Sequence, residues 1–191
     1  MSSAGPVGIL LAGGSSTRFG SDKLRHPLPD GTPIAVASLR HLRAALPRVI
    51  AVVRPGAGAL AARLHAGGAE VTVCERADDG MGTTLAHAVR AAPDEAGWVV
   101  ALADMPFIRP ETIRRVAARL GAGAAIVAPR YAGERGHPVG FAGRFGPALA
   151  ALAGDAGARD LLRAEAGALE LLDCDDPGVV RDVDTPADLA G

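Results

Sequence analysis

The segment VGILLAGGSSTRFGSDKL, residues 7–24, couples a run of apolar residues to a loop of very different character. Residues 7–12 carry no polar side chain, the pattern of a strand buried on both faces. Gly13 to Thr17 then supply two glycines and three hydroxyls, and the stretch closes on Lys23, the only lysine in the chain. Every other fixed positive charge is arginine, and asparagine and glutamine are absent. A buried strand opening into a glycine-rich loop predicts a ligand-facing turn at the carboxyl edge of a sheet.

Outward from this segment the same alternation repeats. VGILLA (7–12), VIAVVR (49–54), AEVTVC (69–74), WVVALA (98–103) and AAIVAP (124–129) read as strands. Between them, segments of helical period fall near 33–46, 56–66, 82–92 and 110–120. Continuous apolar strands separated by helices predict a three-layer α/β/α fold, a doubly wound, mostly parallel sheet of Rossmann-like type. Beyond residue 130 the rhythm changes. GHPVGF (136–141) reads as a strand, RFGPALAAL and ARDLLRAEAG as two helices, and residues 168–172 and 179–183 as short strands. TPADLA opens a final helix with Thr185 as N-cap and Pro186 at its first position. With no internal repeat and no linker, residues 1–191 are expected to form a single domain.

Composition narrows the class. At 191 residues the chain can bury one sizeable core. Twenty basic residues against twenty-one acidic ones leave a net charge of −1, so neither nucleic acid nor an anionic membrane is an expected partner. Cys74 and Cys174 each stand in an apolar stretch and read as small buried hydrophobes in a reducing compartment. No CxxC or Cys/His cluster offers zinc a site. The N-terminus lacks a basic region ahead of its short apolar run, and no stretch reaches the about 20 apolar residues of a membrane span. A cytoplasmic protein is expected.

Three loops could carry chemistry, because ligands bind beyond the carboxyl ends of such strands. In the first, backbone N–H groups from Ala12 to Thr17, the hydroxyls of Ser15, Ser16 and Thr17, and the cations Arg18 and Lys23 suit nucleotide phosphates. A glycine turn with a solvated lysine is the plain alternative. The loop is neither a Walker A sequence nor GxGxxG. The second, ERADDGMGTTLAHAV, places Gly82, Thr83 and Thr84 at a helix start, where they could bond a base or sugar or simply cap the helix. The third, ALADMPFIRPET, puts Asp104 at the end of an apolar strand, where a carboxylate is costly unless paired or bound to metal. Asp182 and Asp184, in RDVDTP, could join it around Mg²⁺, which favours few carboxylates plus phosphate oxygens. His137, in RGHPVGF, suits either an acceptor contact or a structural hydrogen bond. The other histidines read as surface or helix residues. No GxSxG, HExxH or Cys/His pair is present, which disfavours a protein nucleophile and favours phosphoryl-type transfer by positioning and charge neutralisation.

LLAGGSSTRFGSDKL, DDGMGTTLAHAV, LADMPFI with RPETI, and GHPVGF followed by DVDTPADL stand in this order over residues 7–190. Together they resemble the molybdenum cofactor nucleotidyltransferase family, closest to its cytidylyltransferase branch. The resemblance implies transfer of a nucleotide monophosphate from an NTP, with Mg²⁺, to the terminal phosphate of a molybdopterin-type acceptor, with release of pyrophosphate. It implies that Leu11, Ala12, Gly13 and Gly14 line the nucleotide pocket with Ala103 beside them. Arg18 would meet the triphosphate, Lys23 the α-phosphate, and Thr83 and Thr84 the base or ribose. Asp104 and Asp184 would hold the metal, and His137 would lie toward the acceptor. LAGG is similar to the GTP-using branch, whereas GMGTTL and RGHPVGF are similar to the CTP-using branch, so CTP is favoured and GTP stays open. Another phosphorylated acceptor, or a carrier that binds nucleotide and cofactor without turnover, is the rival reading. A molybdoenzyme or its chaperone is left open as a further partner.

Overall fold

The computed structural model describes residues 5–14, 22–93 and 95–189. The chain alternates β1 (Val7–Ala12), α1 (Ile34–Ala45), β2 (Val49–Val53), α2 (Gly58–Ala66), β3 (Glu70–Val73), α3 (Met81–Ala91), β4 (Gly97–Leu102) and α4 (Pro110–Gly121). Then follow β5 (Ile126–Tyr131), β6 (Glu134–Arg135), β7 (Val139–Ala142), α5 (Gly146–Ala150), α6 (Arg159–Ala164) and β8 (Leu169–Asp173). All eight strands join one sheet, in the order β3-β2-β1-β4-β7-β5-β6, with β8 also paired to β5. The pairs β1–β2, β1–β4, β2–β3 and β5–β8 are parallel. β7 runs antiparallel to both β4 and β5 and is the reversal in an otherwise mostly parallel sheet.

The period of two along β1 builds both faces of the core. Leu10 and Ala12 point to one side, among Leu39, Leu42, Leu64, Ile113 and Val116 from α1, α2 and α4. Val7, Ile9 and Leu11 point to the other, among Leu85, Val89, Phe141 and Leu149 from the α3 and α5 side. With two such faces to fill and few aromatics, the sequence uses branched aliphatics and alanine, which pack closely in thin layers. Trp98 is the largest fully buried side chain, and its indole N–H donates to the Ala92 carbonyl at 3.2 Å.

Three readings of the C-terminal third need correction. Residues 179–183 form no strand: a 3-10 turn spans Pro177–Val180, with the Asp176 carboxylate accepting from Gly178 N. Val179 and Val183 are fully buried, which mimics strand alternation, but Val179 joins the main core and Val183 packs with Ile34 of α1, and neither belongs to a ladder. The final helix from Thr185 is a short 3-10 turn, Pro186–Leu189, and Thr185 donates its amide and hydroxyl to Asp188 instead of accepting as a cap. The strand expected at 136–141 begins three residues later, because the His137 amide bonds the Val179 carbonyl. Cys74 is buried, Cys174 is half-buried, and both are free thiols. No helix among the described residues is long and apolar enough to cross a membrane.

Candidate active site

β1 lies between β2 and β4, so the chain winds away from it in both directions and a crevice opens at the carboxyl ends of β1 and β4. Leu11 and Leu102 are register partners there, and the Ala103 amide extends the pairing with a 3.0 Å bond to the Leu11 carbonyl. The Ser38 hydroxyl, from α1, donates to the Ala103 carbonyl at 2.8 Å and fixes the backbone just before Asp104. A cavity of about 430 Å³ stands over these strand ends, with Leu11, Gly13, Gly14, Lys23, Thr84 and Asp104 in its wall. A side chain at Gly13 would press on Thr84 Cγ2 at 3.2 Å, so glycine lets the backbone approach α3.

Leu24, buried in the core, anchors the short turn Lys23–Arg25 and aims the lysine inward. Lys23 Nζ donates to Asp104 Oδ2 at 2.9 Å and to Asp184 Oδ1 at 3.1 Å, and its side chain is only 12 % exposed. Burial works against its charge, but the hydrogen bonds and charges of Asp104 and then Asp184 outweigh it, so the lysine pKa is raised. Asp184 arrives from the far end of the sequence by backbone pairing: Val183 N donates to the Asp104 carbonyl at 2.9 Å. The Asp188 carboxylate then accepts from Asp184 N, Thr185 N and Thr185 Oγ1, which freezes the turn that carries Asp184.

Asp182 completes the acidic group. One carboxylate oxygen from each of Asp104, Asp182 and Asp184 lies within 4.8 Å of the other two. Burial, then the charges of Asp184 and Asp104, raise the Asp182 pKa against the opposing pull of Lys23. Among the described residues, three carboxylates and the Lys23 ammonium meet here. An all-oxygen, electron-rich donor set of this kind fits a hard divalent cation, and it does not fit a soft metal.

Ala12 and Ala103 are buried beneath the cavity rather than in its wall, and Ser15, Ser16, Thr17 and Arg18 lie outside the described residues. Gly82 and Thr83 stand behind the wall: Gly82 N donates to the Gly154 carbonyl at 2.7 Å, and Thr83 Oγ1 accepts from Gly154 N at 3.2 Å. They fasten the 153–155 loop to the start of α3. Thr84 does reach the cavity, although its hydroxyl donates to the Gly80 carbonyl at 3.1 Å. Asp78 and Asp155 also line the cavity, and sequence reasoning missed both. Asp78 precedes the helix start that drew attention to Gly82, Thr83 and Thr84, and Asp155 belongs to no recognisable pattern. His137 does not reach this cavity; it lines a smaller neighbouring one of about 170 Å³. Burial, and secondarily Arg135, lower its pKa to about 4, with Asp104 opposing. The ring is thus neutral at pH 7.

Comparison with known proteins converges on one family. Residues 8–170 match the MobA-like NTP transferase domain. The purine catabolism protein PucB of Bacillus subtilis is 32% identical, over 94% of this chain and 92% of its own. The nicotine blue oxidoreductase of Paenarthrobacter nicotinovorans is also 32% identical, with the same two coverages. Among solved structures, Rv0371c of Mycobacterium tuberculosis H37Rv superposes with a TM-score of 0.84 at 31% identity, over 97% of this chain and 96% of that one. A second structure of Rv0371c, at 30% identity and TM-score 0.80 with the same coverages, is a complex with manganese.

Proposed function

From a chain that belongs to the MobA-like NTP transferase family, we propose a nucleotidyltransferase that moves CMP from CTP to the terminal phosphate of a molybdopterin-type cofactor and releases pyrophosphate. The observation that carries this reading is Lys23 held between Asp104 and Asp184 on the wall of a nucleotide-sized cavity. The choice of CTP over GTP rests on the resemblance of GMGTTL and RGHPVGF to the cytidylyltransferase branch.

An oxygen of the acceptor phosphate forms a bond to the α-phosphorus of CTP. The α–β phosphoanhydride bond breaks, and its electron pair leaves on pyrophosphate. The attacking oxygen is already ionised at pH 7, so the protein supplies no base. Its task is to hold the reacting groups in line and to neutralise charge. Lys23, a compact cation on a flexible stem, would follow the α-phosphate toward the transition state. Backbone N–H groups of Gly13 and Gly14 would bond phosphate oxygens. Asp104 and Asp184, with Asp182 beside them, would hold Mg²⁺, which would supply positive charge to offset that of the phosphates. Bases must be read by backbone groups, hydroxyls, carboxylates or arginine, because the chain has no amide side chains. The reaction belongs in the cytoplasm, where its nucleotide substrate is made.

Pyrophosphate release with CTP, GTP, ATP or UTP, Mg²⁺ and the molybdenum cofactor tests this. CTP-dependent release that disappears in Asp104→Ala is expected. Nucleotide binding without release points to a carrier, and NADPH-dependent reduction without release points to a redox role; either outcome overturns the reading.

A further inference from the structure

Asp176 is the only fully buried carboxylate among the described residues, 1 % exposed, and it lines neither cavity. A carboxylate in such a place is costly unless its oxygens are satisfied. Oδ2 accepts from the Arg109 amide at 2.9 Å and from the Thr112 hydroxyl at 2.7 Å, and Oδ1 accepts from the Gly178 amide at 3.0 Å. Arg109 Nε, 4.0 Å from Oδ1, adds an opposing charge. Three converging donors call for a side chain that only accepts. An amide in either orientation would turn its NH₂ toward a backbone N–H, of Arg109 or of Gly178.

The donors belong to the two segments that carry the acidic group. Arg109 is where the loop from Asp104 enters α4, and Gly178 lies in the turn from which the chain runs on to Asp182 and Asp184. Between these points the segments lie backbone against backbone, since a side chain at Gly178 would collide with the Phe107 carbonyl. At the cavity end, Val183 N bonds the Asp104 carbonyl at 2.9 Å. The segments are thus fastened twice, by a backbone bond beside the site and by Asp176 away from it. One oxygen from each of Asp104, Asp182 and Asp184 lies within 4.8 Å of the other two. Like charges at that spacing push their segments apart, and the bonds at Asp176 oppose the separation.

We propose that Asp176 is a positioning residue for the cation site, fixing Asp104 against Asp182 and Asp184 without itself touching a ligand. This rests on the nucleotidyl-transfer reading, which puts a divalent cation among these three carboxylates. A plain cap for α4 would need only the bonds at Oδ2. The second oxygen, on Gly178, joins the helix start to the turn that leads to Asp184, so loss of the clamp frees one set of carboxylates from the other.

The test titrates the full chain with Mn²⁺ alone and reads bound metal by electron paramagnetic resonance, below the melting temperature of every variant. Asp176→Asn weakens Mn²⁺ binding about tenfold, the low end for groups that orient a metal ligand through another group. Thr112→Val removes one hydroxyl from the clamp and keeps the branched side chain, so it carries the same prediction should Asp176→Asn fail to fold. Thr112→Ser, which keeps the hydroxyl, restores the affinity of the unaltered chain. A lowered Tm with unchanged Mn²⁺ affinity overturns the proposal, because a purely structural clamp moves stability alone. If the unaltered chain binds Mn²⁺ no better than Asp104→Ala does, the cation assignment of the nucleotidyl-transfer reading falls instead, so the two failures are distinguishable.

Discussion

Lys23 shares its ammonium between two carboxylates in a chain that uses arginine for every other fixed positive charge. A guanidinium there would satisfy both aspartates, yet its rigid plane cannot track a phosphate that moves. Lys23→Arg is therefore expected to fold normally and lose most of its turnover, measured as pyrophosphate formed per second. Lys23→Ala is expected to cost about 2–4 kcal/mol of transition-state stabilisation, the scale of one preorganised electrostatic partner. His137 makes a separate prediction about pH. Its pKa falls from 6.5 to about 4 on folding, with Arg135 and Arg159 lining the same wall and Asp104 as the opposing charge. Below pH 6.5 the unfolded chain takes up a proton that the folded chain refuses. The contribution of neutral His137 is thus complete above pH 6.5 and is lost as pH falls toward 4, with a ceiling of about 3 kcal/mol. The His137 ring signals should stay in their neutral form down to about pH 5, and titration near 6.5 would contradict this.

The elements that position these residues carry predictions of their own. Asp188 lines neither of the two cavities described, yet it accepts three hydrogen bonds from Asp184 and Thr185. Asp188→Ala should loosen the turn that delivers Asp184, lowering kcat by up to about 100-fold, as misplacement of a catalytic group does. Thermal stability should hardly change, and an unaltered kcat would contradict the positioning role. Gly80 adopts φ +116°, and a side chain there would meet Asp155 Oδ1 and the Gly154 backbone. Gly80→Ala should cost about 1–3 kcal/mol in denaturant unfolding and weaken nucleotide binding, because the 153–155 loop must shift. Local pattern made the five long strands and four long helices legible, the strands as short apolar runs and the helices by their period of about 3.6. It failed at 179–183, where Gly178 packs tightly on the Phe107 carbonyl and buried Val179 belongs to a turn.

Lys23 and Asp184 are 161 residues apart, and no local period announces that they meet. Their meeting follows from topology: β1 and β4 end side by side, and the 182–184 segment pairs with the backbone at Asp104. Gly13, Gly14 and Asp104 were expected at the ligand crevice because loops at strand ends of this architecture face it, and the structure places all three in the cavity wall. Asp78 and Asp155 were not, because nothing in their residue types separates a cavity wall from an exposed turn. Gly82 and Thr83, read as ligand contacts or as a helix cap, bond Gly154 in the structure. A ligand that spans the described wall should stabilise the whole fold. CTP with Mg²⁺ at about 100 times its Kd should add about 2.7 kcal/mol, visible as a raised Tm. UTP should give a smaller shift, and equal shifts with all four nucleotides would contradict base selection.

The most direct measurement is the anomalous diffraction of manganese in crystals grown with CTP and MnCl₂. Manganese bound by Asp104 and Asp184, with Lys23 Nζ turned to the α-phosphate, is the expected result. A manganese peak remote from these two carboxylates, with Lys23 still bridging them and the nucleotide elsewhere, would contradict the assignment of this cavity as the centre of transfer.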